Sequence, residues 1–103
     1  IFRDMVKAEI VEKIAREKGI SKTEVAVVVE ALMDTIKDAM TAGKNVYLRG
    51  FGSFVVKQRA AKTGRDILRN TTLIIPAHSF PTFKACEDFV NDVRKAVPVL
   101  QKD

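Results

Sequence analysis

The sequence RGFGSFVVKQRAAKTGRDILRNTTL, which spans residues 49–73, carries all of the excess positive charge of this 103-residue chain. Six Lys and Arg residues and a single Asp give it the net charge of +5. Residues 1–48 contain eight basic and eight acidic side chains, and residues 74–103 contain four of each. A positive charge concentrated in one segment predicts a surface for a polyanion, most often a nucleic acid.

The same segment has the pattern of a β-hairpin. Residues 45–48 predict a short strand, and Arg49-Gly50-Phe51-Gly52 predicts a turn. Residues 53–59 alternate apolar and polar or cationic side chains, which is typical of a strand with one apolar face. Hydrophobic periodicity is lost around residues 65–70 and resumes in a return strand at 73–75, which Pro76 ends. Residues 45–76 therefore predict an antiparallel sheet with a long hairpin and a basic tip.

Helices are predicted on both sides of this hairpin. Apolar residues recur at helical spacing over residues 4–18, and the helix is expected to end at Gly19. Ser21 and Glu24 form a capping box before a second helix that ends at Gly43. A third helix is predicted over residues 84–97. The fold class is thus α+β in one domain over residues 1–103, with a helical base (4–43), a sheet and β-arm (45–76) and a C-terminal helix (84–97).

The apolar stripe of the second helix is broader than one short helix needs to cover. It includes Leu32 and Ile36 and is widened by flanking Val, Ala and Met side chains. A protruding hairpin would also remove about a fifth of the chain from the core of so small a domain. We therefore expect a partner subunit to complete the core.

Several function classes are disfavoured by the residues that the chain contains. A single cysteine, Cys86, excludes an intrachain disulfide and a Cys-based zinc site. His78 is the one histidine, so no Ser/His/Asp or Cys/His constellation and no metal site is supported. No apolar run approaches the length of a membrane span. We expect no enzyme activity, no cofactor, no small-molecule substrate and no membrane partner.

Four motifs, in order and in register, resemble a known family. They are LRGFGSF at 48–54, RAAKTGR at 59–65, IPA at 75–77 and PTFKA at 81–85. Together they resemble the bacterial histone-like family of HU and integration host factor (IHF) over roughly residues 5–96. The resemblance implies an intertwined dimer whose two β-arms enter the DNA minor groove and bend the duplex without catalysis. It also implies a bacterial cytoplasmic protein associated with the nucleoid.

The resemblance assigns roles to individual residues of this chain. The aromatic dimer core would be Phe51, Phe54 and Phe83, and the predicted apolar stripe adds Leu32 and Ile36 to it. Glycines at three positions would let backbone N–H groups approach phosphates. The complete set of predicted DNA-binding residues is Lys7, Arg49, Gly50, Gly52, Lys57, Arg59, Lys62, Gly64, Arg65, Arg69 and Lys84.

The predicted arm tip departs from the family pattern. Family arms usually have the sequence R-N-P, in which the proline wedges between base pairs, whereas this chain has Arg65-Asp66-Ile67. Ile67 and its neighbour Leu68 are the candidate wedges, since Ile and Leu serve this purpose in other minor-groove benders. Asp66 places a negative charge beside the wedge, where phosphates would be close.

Other functions remain as alternatives. HU-like behaviour means a homodimer with little sequence preference, and IHF-like behaviour means a heterodimer with a preferred site. A scaffolding dimer could instead grip an acidic protein with the basic arm. A helix-turn-helix regulator is disfavoured because the second helix continues after Lys22 as TEVAVVV, without the exposed Arg, Asn or Gln of a recognition helix.

Overall fold

A computed structural model describes residues 4–99 of the chain, and it has the predicted α+β fold class. The elements in chain order are α1 (Lys7–Lys18), α2 (Lys22–Thr41), β1 (Val46–Leu48), β2 (Gly52–Arg59), β3 (Lys62–Asp66), β4 (Thr71–Ile75), β5 (His78–Ala85) and α3 (Glu87–Ala96). The chain divides into two compact units, the first ending at Asp38 and the second beginning at Ala39.

The first unit consists of α1 and most of α2, and its helix ends follow local sequence signals. The predicted end of α1 is confirmed: Gly19 has a φ of 67°, which a glycine adopts without strain. The Ser21 half of the predicted capping box is confirmed, because the N–H of Glu24 donates to Ser21 Oγ at 3.1 Å. The helix α1 begins at Lys7 and not at residue 4, and Val6 at the N-cap position has an extended backbone and makes no side-chain cap.

The helices bury very little of their apolar surface within one protomer. Among residues 4–99, only Val11 and Val25 are buried hydrophobic side chains. Val28 and Leu32 on α2 are 65% and 51% exposed. Exposed apolar faces of this extent are typical of protein surfaces that are covered by a partner.

The second unit contains two antiparallel sheets. One sheet has the strand order β1-β2-β5, and the other pairs β3 with β4. Arg59 lies opposite His78 at the end of the three-stranded sheet. Lys62, three residues after Arg59, lies opposite Ile75, three residues before His78, so the register is unchanged across the break in pairing. Pro76 flanks the break and has no N–H to donate to a ladder. The segment from Lys62 to Ile75 is called the arm below, and its turn at residues 67–70 is called the tip.

The predicted start of the third helix was wrong. The helix was expected over residues 84–97, with residues 80–83 leading into it, but His78–Ala85 is the strand β5 and α3 begins at Glu87. Pro81 lies in this strand opposite Val56. A proline is tolerated there because β5 is at the edge of the three-stranded sheet, where an N–H on the outer side is not needed. The predicted return strand, in turn, pairs with β3 in the arm and not within the three-stranded sheet.

Candidate nucleic-acid interface

One face of the three-stranded sheet collects the cations of β2 and β5. Directly opposite residues of an antiparallel pair lie on the same face, and alternate residues along a strand share it. Lys57 lies opposite Phe80, Arg59 opposite His78, and Ser53 opposite Lys84. Three of the predicted DNA-binding side chains are therefore brought together on one surface. This surface, called the cationic face below, comprises Ser53, Val55, Lys57, Arg59, His78, Phe80, Thr82 and Lys84.

The opposite face of the sheet carries an aromatic cluster. The ring centroids of Phe51 and Phe83 are 5.0 Å apart, and those of Phe54 and Phe83 are 4.9 Å apart. Phe89 of α3 joins the cluster, with its ring centroid 5.4 Å from that of Phe51. Of the three aromatic residues predicted for the dimer core, Phe83 thus contacts the other two, although Phe51 and Phe83 remain 45% and 41% exposed in the protomer. Their role between subunits stays a prediction.

Phe80 belongs to the cationic face, although no local sequence pattern predicts a role for it there. The guanidinium carbon of Arg59 lies 4.7 Å from the centroid of the Phe80 ring, which is a cation–π arrangement. This contact holds the Arg59 side chain against the sheet close to the start of the arm. Only the register of β5 reveals it, because nothing local in the sequence places residues 59 and 80 on one face.

The arm presents cations on both of its faces. Lys62 and Gly64 share one face with Leu73 and Ile75. Arg65 lies on the other face, opposite Thr72. Lys62 and Arg65 are both exposed, so a ligand wrapped by the arm would meet positive charge on either side.

The tip is organised by polar side chains. The N–H groups of Leu68 and Arg69 donate to Asp66 Oδ1 at 3.1 and 3.3 Å, and Arg69 Nε lies 3.9 Å from Asp66 Oδ2. Arg65 donates through its guanidinium to the side-chain oxygen of Asn70, which has a φ of 53°. The two candidate wedges, Ile67 and Leu68, are 86% and 97% exposed. The loop therefore has internal polar contacts while its apolar side chains point into solvent.

Lys7 is the one predicted DNA-binding residue in the first unit, and it is paired with an acid. Its ammonium group donates to the carboxylate of Glu30. That hydrogen bond, together with the positive charge of Lys7, lowers the pKa of the Glu30 carboxyl. The charge of Lys7 is thus partly neutralised within the protomer.

The three predicted glycines differ in what surrounds them. Gly50 is exposed and has a φ of 83° in the turn that follows β1, beside the exposed Arg49. Gly52 is buried, and a Cβ there would lie 2.5 Å from the Lys84 carbonyl oxygen and 2.6 Å from the Phe83 ring. Close packing of β2 against β5 is therefore sufficient to require glycine at position 52, and the phosphate contact of Gly52 stays a prediction. At Gly64 the nearest atom to such a Cβ is 4.0 Å away.

Membrane spans and metal clusters are both absent from the described part of the chain. Within residues 4–99, no helix is long and apolar enough to cross a bilayer. The same residues contain no group of three His, Cys, Asp or Glu side chains placed to hold a metal ion.

Comparisons with known proteins agree with this arrangement. Residues 5–94 match the sequence model of the family described as "Bacterial DNA-binding protein". The SPbeta prophage-derived DNA-binding protein HU 2 of Bacillus subtilis (strain 168) is 39% identical over 90 residues, which cover 87% of this chain and 98% of that protein. Integration host factor subunit alpha of Anaeromyxobacter sp. (strain Fw109-5) is 33% identical over 87 residues, covering 84% of this chain and 88% of that subunit.

A solved structure has the same fold. HU from Anabaena, crystallised with DNA, superposes with a TM-score of 0.83 at 36% sequence identity, and the match covers 87% of this chain and 98% of that one. The family match spans most of the chain, and the relatives include both HU and an IHF subunit. The chain therefore belongs to the bacterial DNA-binding protein family of HU and integration host factor.

Proposed function

We propose that this protein binds duplex DNA with little sequence preference and bends it, as a dimer that places two arms in the minor groove. The observation that carries the proposal is the location of the excess positive charge. The segment 49–73 carries the whole net charge of +5, and its six basic residues are Arg49, two residues of the cationic face and three residues of the arm. The Anabaena relative that was crystallised with DNA supports the same ligand.

Affinity in this proposal comes from phosphate neutralisation. Each Lys or Arg that contacts a phosphate releases condensed counterions, and this contribution does not depend on base sequence. Lys57 and Arg59 would meet the backbone at the sheet, whereas Lys62 and Arg65 would follow it along the arm. Arginine suits a narrow minor groove because its planar guanidinium is weakly hydrated and the groove potential is negative.

Bending in this proposal comes from the tip. Ile67 and Leu68 are the most exposed large apolar side chains among residues 4–99, apart from Val99 near the end of that range. Inserting one of them at a base step costs a few kcal/mol of stacking, which is offset by the contacts that a bent duplex makes with the protein. The protein would then recognise deformability more than base edges.

The dimer is proposed because one protomer leaves its apolar surfaces uncovered. The exposed side of α2 and the half-exposed rings of Phe51 and Phe83 are the surfaces that a second subunit would cover. The second subunit would be another copy of this chain, as in an HU-like homodimer, or a close paralogue, as in an IHF-like heterodimer. DNA binding of this kind corresponds to a nucleoid-associated protein of the bacterial cytoplasm.

A duplex of random sequence and about 35 base pairs tests the proposal, because it is nearly straight when free. Fluorescence anisotropy across a salt series measures affinity, and energy transfer between labelled ends measures bending. We expect tight binding that weakens steeply with salt and brings the ends together. Binding without shortening would leave a protein that coats DNA without bending it. No binding at low salt would contradict the DNA proposal and favour an acidic protein partner.

Arg59→Ala and Arg65→Ala are each expected to reduce the salt dependence of DNA binding. The slope of log affinity against log salt should become shallower by about 0.9 for each phosphate that is no longer neutralised, or about twice that in a dimer with both arms engaged. The decrease in affinity should be similar on all duplex sequences. Lys13→Ala is the matched control, since Lys13 lies on α1 in the charge-neutral first part of the chain, 3.9 Å from Glu17. An unchanged slope for an arginine variant would show that this arginine neutralises no phosphate.

Ile67→Ala is expected to reduce bending more than affinity. The substitution removes the apolar wedge but no charge, so the counterion contribution to binding is retained. Energy transfer between the duplex ends should fall towards the free-DNA value, while the salt slope stays unchanged. Ile74→Ala serves as a control, because Ile74 is an equally apolar, exposed arm residue away from the tip. Equal bending by Ile67→Ala and the unsubstituted protein would exclude Ile67 as the wedge.

A further inference from the structure

We propose that Asp66 is a positioning residue that holds the tip in the shape needed to present Ile67 and Leu68. The inference rests on the proposed function, since it concerns how the wedge is presented to DNA. The two properties of the Asp66 side chain have separate effects. Its oxygen, as a hydrogen-bond acceptor, shapes the loop, whereas its negative charge weakens DNA binding.

One carboxylate oxygen accepts two backbone hydrogen bonds in the tip. Asp66 Oδ1 accepts the N–H groups of both Leu68 and Arg69, which closes the turn that follows β3. An Asp or Asn that accepts backbone N–H groups two and three residues later stabilises this type of turn. Asp66 is only 26% exposed at its side chain, whereas the two residues that follow it are almost fully exposed. The polar side chain thus turns inward at the place where the apolar ones turn outward.

Ile67 needs such a restraint. An isoleucine has no ring to fix its backbone φ, so the conformation of the tip depends on contacts from neighbouring residues. A wedge held in one orientation also loses less conformational freedom on insertion than a wedge in a loose loop. Asp66 supplies this restraint from the residue immediately before the wedge.

The negative charge of Asp66 acts on the cations of the tip. Arg69 lies beside Asp66, with 3.9 Å between Nε and Oδ2, so its charge is partly neutralised. Arg65 is held by Asn70, which is uncharged and leaves the positive charge of Arg65 intact. A carboxylate close to DNA repels the phosphates. By pairing with Arg69, it also reduces the positive charge that Arg69 could use to neutralise a phosphate. The negative charge of Asp66 therefore opposes binding, although its oxygen organises the loop.

Two substitutions separate these effects in the full-length protein. Asp66→Asn keeps an acceptor oxygen and removes the charge, and Asp66→Ala removes both. On the same labelled duplex we expect Asp66→Asn to retain the bend, to bind severalfold more tightly at low salt, and to steepen the salt slope by up to about one per arm as Arg69 is released. Asp66→Ala should show the same steeper slope but lose bending to the level of Ile67→Ala.

A second measurement, made without DNA, tests the tip itself. The backbone amides of Leu68 and Arg69 should exchange with solvent faster in Asp66→Ala than in the unsubstituted protein, and Asp66→Asn should restore the slower rates. Equal bending by all three proteins, or amide exchange that does not depend on residue 66, would overturn the inference. If the unsubstituted protein binds DNA without bending it, the proposed bending fails for a separate reason. In that outcome the exchange rates still decide whether Asp66 shapes the tip.

Discussion

Gly52→Ala is expected to lower the free energy of unfolding by about 3 kcal/mol, which is at the upper end of the usual cost of overpacking. The added Cβ would lie 2.5 Å from the carbonyl oxygen of Lys84 and 2.6 Å from the ring of Phe83. The carbonyl belongs to the backbone of β5, so it cannot move away without disturbing the pairing of β2 with β5. The Phe83 ring is held between Phe51 and Phe54, which limits its movement as well. Urea unfolding at a fixed protein concentration measures the change in stability.

Gly64→Ala provides the matched control for this prediction. Gly64 is also a strand residue of the hairpin, but the nearest atom to its added Cβ is the Ile75 Cδ1 at 4.0 Å, an ordinary contact distance. We expect a change within about 1 kcal/mol, because the alanine removes freedom from the unfolded chain and meets no clash. If the two variants were destabilised equally, close packing at position 52 would not be the reason for its glycine.

The end of α1, the start of α2 and the location of the charge could be predicted because their causes are local. Gly19 ends α1 and Ser21 caps α2 through contacts made within a few residues of the chain. The net charge of a segment requires only counting. The pairing of β2 with its partner, by contrast, is a property of residues that are far apart in sequence.

The strand β5 was missed for this reason. Pro81 resembles a strand breaker when it is considered alone, and it is tolerated only because β5 lies at the edge of its sheet. Without the register of β5, neither the stacking of Arg59 on Phe80 nor the burial of Gly52 against Phe83 could be foreseen. The resemblance to the HU and IHF family grouped three aromatic residues, and Phe83 does contact Phe51 and Phe54. Their place in a dimer core stays a prediction.

The tip is a second feature whose contacts could not be predicted from the sequence. The sequence places the negative charge of Asp66 beside the wedge, and that charge alone predicts only a disadvantage for DNA binding. Whether its carboxylate also accepts N–H groups depends on the backbone conformation of the turn, which the sequence does not determine. The structure adds these two hydrogen bonds and thereby gives the residue a second effect.

Leu32→Asp is expected to dissociate the proposed dimer. Leu32 is 51% exposed on α2 in the protomer and lies in the apolar stripe that a second subunit would cover. Each subunit would lose about 2 kcal/mol of apolar burial and would also have to bury an unpaired carboxylate, which costs several kcal/mol. Because a symmetric dimer carries the change twice, the dissociation constant should rise by at least about 10³-fold. Sedimentation equilibrium measures it directly.

Thr23→Asp is the control, because Thr23 lies nine residues before Leu32 and therefore on the opposite side of the same helix. It adds the same charge in the first turn, where a carboxylate is tolerated, and should leave the dimer intact.

The Leu32→Asp protein keeps every cation of the arm but has only one arm per molecule. Its DNA affinity should therefore also fall, because the linked second arm is absent. If Leu32→Asp remained a dimer, α2 would not form the interface. The half-exposed cluster around Phe51 and Phe83 would then be the surface that holds the two subunits together.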